Sequence, residues 1–135
     1  MVAAFPLTRP HSSWSDTSSP TPVPSGLSAG SICRFEQGTT HSFGLPLRPL
    51  TNGLGFLPGS HCPHDHAEES RRGTSLDWVG DGTLQAGYAL DDGSAVRFEK
   101  TEAVEFVCAD PAVGADRVES VGGRVLEPRM EAVQL

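Results

Sequence analysis

At 135 residues the chain is long enough for one domain and for a core that hides roughly two-thirds of its unfolded surface. Its net charge of −7, with no basic cluster beyond Arg71-Arg72, offers little for phosphate contacts, so nucleic acid is not expected as a partner. No apolar run approaches the roughly 20 residues that cross a bilayer, so no membrane partner is expected either. Cys33, Cys62 and Cys108 have no framework spacing, and residues 1–7 lack the basic start of a secretion signal, which together point to the cytoplasm.

Residues 10–25 (PHSSWSDTSSPTPVPS) show no apolar periodicity of strand or helix type. Proline, serine and threonine bury too little apolar surface to offset the entropy of ordering them. Residues 1–24 are therefore expected to be disordered and dispensable, and residues 25–135 to form the domain. Residues 27–36 can open a helix. Residues 53–57 (GLGFL) read as a short strand bounded by Asn52-Gly53 and Pro58-Gly59, and residues 68–79 as a weak helix. Residues 84–89 and 94–99 flank Asp91-Asp92-Gly93, a hairpin turn signal. Residues 103–108 (AVEFVC) alternate as a strand does. Residues 117–120 and 124–126, split by Gly122-Gly123, make a last small hairpin. The 15 glycines and 11 prolines agree with many turns and little long helix.

Two features carry chemistry. Gly26-Leu27-Ser28-Ala29-Gly30 has the form Gly-x-Ser-x-Gly, in which a nucleophile on a tight strand-to-helix turn needs small neighbours. The following helix start places backbone amides near a developing oxyanion. A flexible Gly/Ser turn has the same composition, so the pattern does not decide by itself. The second feature is Pro58-Gly59-Ser60-His61-Cys62-Pro63-His64-Asp65-His66. It reads either as a metal site, for which Cys33 and His41 are the available second pair, or as one catalytic histidine after a strand. On the second reading His61 and His66 are exposed loop histidines.

The run GLSAGSICRFEQGTTHSFG, then GLGFLPGSHCPH, ESRR and DGTLQAGYALDDGSAVRF, resembles the C-terminal half of the peptidase E (dipeptidase E-like) serine peptidases in order and spacing. An α/β-hydrolase would place its histidine last, whereas here it follows the serine by 36 residues. The resemblance implies an α/β fold of the class I glutamine amidotransferase-like (flavodoxin-like) type, here a partial sheet with β-hairpins near the C-terminus. It implies hydrolysis of short peptides, Asp-led in the best-known members, through an acyl-enzyme and without a cofactor. Ser28 takes the nucleophile position, His64 the general base, and the Ala29 and Gly30 amides the oxyanion site. Relatives commonly carry Asp where this chain has His41, so Glu36, the nearest carboxylate in sequence, becomes the candidate acid. Arg34 and Asp65 stand where relatives tend to have aromatic residues.

The resemblance also implies an N-terminal half with parallel strands and a Gly-rich loop, which has no counterpart here. Pro20-Thr21-Pro22-Val23-Pro24 occupies the place of the strand before the nucleophile, and proline lacks the amide that a central strand needs. The expectation is therefore a truncated member, weakly active or inactive, with Ser28 not held in a strained turn. A homo-oligomer stays open. The rivals are a non-catalytic remnant of the same ancestry and a small metal-binding module using His61, Cys62, His64 and His66.

Overall fold

The computed structural model describes residues 2–4, 25–42 and 44–135. Most of the Pro/Ser/Thr-rich segment thus lies outside the described residues, but Val2–Ala4 form a short strand, β1, which differs from a wholly unstructured start. The other elements follow as β2 (Ser25–Gly26), α1 (Ala29–Ile32), β3 (Phe35–Thr40), β4 (Arg48–Leu50), β5 (Leu57–Pro63) and α2 (Arg71–Gly80). They continue as β6 (Gly87–Leu90), β7 (Ser94–Glu99), β8 (Glu102–Cys108), β9 (Ala115–Val121), β10 (Arg124–Leu126) and β11 (Val133–Gln134).

The architecture is mixed α/β, a partial flavodoxin-like arrangement with little helix. Its six-stranded sheet runs β10-β9-β6-β5-β3-β4, and a five-stranded sheet runs β11-β8-β7-β1-β2. Strands β3, β5 and β6 are parallel neighbours, while β4, β9 and β10 add antiparallel edges. Parallel strands have both faces covered, and that is the case here. On one face Phe35, Leu57 and Leu90 meet Val96, Phe98 and Phe106 of the second sheet. On the other, Cys62, Ala89 and Val118 pack with Val79 of α2.

Several sequence expectations change. The helix expected over residues 27–36 is one turn, because Phe35 is fully buried and already belongs to β3. The GLGFL segment is not a strand. The Gly53 amide donates to the Glu36 carbonyl at 2.9 Å, and a Cβ at Gly53 would lie 2.0 Å from the Phe35 carbonyl oxygen. The strand starts at Leu57 and runs through Pro58-Gly59, the pair that reads as a stop signal; Gly59 absorbs a register shift with φ of 84°.

Residues 91–93 do not close a hairpin. Strand β6 pairs with β5 and β9, and β7 with β1 and β8, so this turn carries the chain from one sheet to the other. The final hairpin forms as read, with Gly122 and Gly123 both at positive φ, the backbone that a two-residue turn requires. Among the described residues, no helix is long and apolar enough to cross a membrane.

Candidate active site

Because β5 and β6 are parallel neighbours, their C-terminal ends open side by side, where open α/β sheets gather ligands. His64 follows β5 directly, and Asp92 lies two residues past the end of β6. Ser28 sits between β2 and α1, whose contacts with β3 and β5 bring it to the same edge. Its backbone has φ 49° and ψ −128°, a sparsely populated conformation for a side-chain-bearing residue that costs on the order of 1–3 kcal/mol. The expectation that Ser28 lacks a strained turn is thus corrected: β2, held by β1, supplies a short incoming strand.

The turn projects Ser28 Oγ to 2.5 Å from His64 Nε2. His64 Nδ1 is hydrogen-bonded to Asp92 Oδ1 on its other side. His64 itself has φ of 58°, so both members of the short contact are set by unusual backbone. The three side chains form a continuous serine–histidine–aspartate relay.

Glu36 is not part of it. Its Oε2 accepts the Gly59 amide at 3.2 Å, bracing the bulge in β5, which corrects its assignment as the acid partner. His41, at the position where an acid was expected, instead accepts from Arg71 and lies 3.6 Å from Glu68. The acid present in space is Asp92, which sequence reading missed because Asp-Asp-Gly is also a common turn signal.

The oxyanion candidates separate too. The Gly30 amide donates to the Leu27 carbonyl at 2.9 Å, closing the turn, so it is not aimed at the space over Ser28. The Ala29 amide is the next one in the chain after the nucleophile.

A cavity of about 320 Å³ opens beside the relay, lined by Ser28 and His64 together with Thr40, His41, Glu68 and Arg71. Arg71 is buried and is held by Glu68 and by the Thr39 carbonyl. Below the loop that carries His64, Arg72 binds Asp65, Asp116 and Glu127. Burial pushes the Asp65 carboxyl up, with the bond from Arg72 working against that shift.

The four residues of the metal-module reading diverge. His61 is 1% exposed and stacks on Phe35 with ring centroids 5.1 Å apart, so it is a core residue of β5 and not an exposed loop histidine. Cys62 points to the opposite face, against α2, and burial pushes its thiol up to about 12, leaving it protonated and unreactive near neutrality. His64 faces Ser28, and the half-exposed His66 binds Asp91 at 2.5 Å. Among the described residues, Asp65, His66 and Asp91 do approach within metal-ligand range of one another. Each is already engaged: Asp65 by Arg72, and Asp91 by His66, the Gly114 amide and Arg129.

The fold and this constellation define an α/β protein with a serine–histidine–aspartate site at the open end of its parallel strands. The chain belongs to peptidase family S51, whose sequence profile matches residues 18–106. It is similar to a protein of Bacillus subtilis (strain 168) named "Uncharacterized peptidase YgaJ", at 43% identity over 96 residues. That stretch is 71% of this chain and 41% of the relative, so the chain spans about two-fifths of the relative's length. No solved structure matches this chain.

Proposed function

We propose that the chain is a serine-type peptidase acting on short peptides. Ser28 Oγ attacks the carbonyl carbon while His64 Nε2 takes its proton, and Asp92 holds Nδ1–H and stabilises the imidazolium. The tetrahedral intermediate expels the amine, which leaves with the proton from His64, and Ser28 is left as an acyl ester. Water then attacks that ester with His64 as base, releasing the acid and restoring Ser28. No cofactor enters these steps.

The observation that carries this reading is the 2.5 Å Ser28–His64 contact with a carboxylate on the other ring nitrogen. A Gly/Ser turn selected only for flexibility has no need of a positive-φ serine aimed at a histidine.

The chain is proposed to work slowly. Of the two oxyanion candidates, Gly30 is engaged in the turn, and one missing donor typically lowers turnover about 10²–10³-fold. The test is purified protein with a panel of dipeptides, Asp-led ones included, beside Ser28→Ala. Slow release that disappears in Ser28→Ala is expected. Equal release by both proteins would contradict the mechanism, and no release by either would favour the non-catalytic remnant.

A further inference from the structure

Directly beneath the nucleophile lies a polar chain that the mechanism does not use. The Ser31 hydroxyl donates to the Ser28 carbonyl oxygen at 2.5 Å, and the Ser31 amide reaches the same carbonyl at 3.0 Å. His61 Nε2 lies 2.8 Å from Ser31 Oγ, and His61 Nδ1 lies 3.1 Å from the Tyr88 carbonyl oxygen. Both side chains are 1% exposed. An imidazole that only filled space would be replaced at no loss by an apolar ring, since buried polar groups cost free energy unless bonded.

Counting protons orders this chain. A carbonyl stands at each end, so three contacts need three protons, yet a neutral imidazole and a hydroxyl hold only two. One of the three contacts is therefore not a hydrogen bond, and which one depends on the tautomer of His61. The positioning role belongs to the tautomer with the proton on Nε2, in which His61 donates to Ser31 Oγ and Ser31 donates to the Ser28 carbonyl.

We infer that His61 is a positioning residue for the nucleophile, acting through Ser31 to hold the Ser28 backbone in the turn from which Oγ reaches His64. This rests on the serine-peptidase reading for its catalytic consequence but not for its geometry. Burial separately holds the His61 ring far below its ordinary range, at about 3, so the ring stays neutral wherever a peptidase of this kind would work.

The test uses the full chain with His61→Phe, Ser31→Ala and His61→Gln, the last keeping a side-chain donor. One readout is the rate at which a fluorophosphonate labels Ser28; the other is the ¹⁵N shift of the His64 ring. His61→Phe and Ser31→Ala are expected to slow labelling about tenfold, the equivalent of one lost hydrogen bond, with His61→Gln recovering most of it. The His64 ring shift is expected to move toward that of Ser28→Ala in the first two variants. Ser31→Ala removes a single oxygen and keeps the test sound if His61→Phe does not fold. Unchanged His64 shifts in folded Ser31→Ala would overturn the inference. Shifts that move in a protein whose Ser28 is never labelled would sustain the positioning role and remove the peptidase reading.

Discussion

A methyl group added at Gly26 would meet Ser31 Cα at 2.7 Å and the Gly30 carbonyl oxygen at 3.0 Å, whereas one added at Gly30 meets nothing within 4 Å. The two glycines that bracket Ser28 in sequence are therefore not equivalent. Gly26→Ala is expected to cost about 1–3 kcal/mol by overpacking against backbone. Gly30→Ala, in the first turn of α1, is expected to be neutral or to stabilise by about 0.5–1 kcal/mol. Urea unfolding of both variants checks the difference, and equal losses would mean that the turn is not packed as described. Ser28 and His64 were legible in the sequence because their signals are local residue types at a characteristic separation. Asp92 and His61 were not. The first carries the signature of a turn, and the second follows Pro58-Gly59, a pair that reads as a strand's end but lies inside β5.

At the scale of elements, the turn after β6 does two jobs. It passes the chain between sheets, and its adjacent carboxylates hold two histidines of the neighbouring loop, Asp92 with His64 and Asp91 with His66. Asp91 also accepts the Gly114 amide at 3.0 Å and binds Arg129 at 3.2 Å, tying the turn to the start of β9. Burial opposes its charge, but the bonds from His66, Gly114 and Arg129 outweigh that and hold its carboxyl below the usual range. Asp91→Asn should lose about 1–3 kcal/mol in thermal or denaturant unfolding, because it removes the buried charge that His66, Arg129 and the buried Gly114 amide bind. An unchanged midpoint would remove Asp91 from the account. Local pattern found the Gly122-Gly123 hairpin, whose strands are sequence neighbours. It failed at Asp91-Asp92-Gly93 because strand partnership there is decided by residues far away in sequence.

For the whole molecule, the packing of β3 and α1 against β5 buries a histidine that must stay neutral. His61 is held at about 3 in the fold against 6.5 when unfolded, chiefly by burial, so between those values the unfolded chain binds more protons. Its contribution to stability is complete above pH 6.5 and falls as pH drops toward 3, by up to about 1.4 kcal/mol per pH unit. Unfolding midpoints followed downward from neutrality should therefore fall more steeply for the unaltered chain than for His61→Gln, and parallel curves would contradict the burial described. The same packing assembles the site, since the segments that follow β2, β5 and β6 each supply one member of the relay. The most direct test is the rate of fluorophosphonate addition, followed by intact mass, in the unaltered chain, Asp92→Asn and Glu36→Gln. One adduct on Ser28 is expected, slowed about 10²-fold or more in Asp92→Asn, since loss of a triad acid can cost roughly 10⁴ in serine proteases, and unchanged in Glu36→Gln. An unmodified Ser28, or a Glu36→Gln rate as low as that of Asp92→Asn, would contradict the relay.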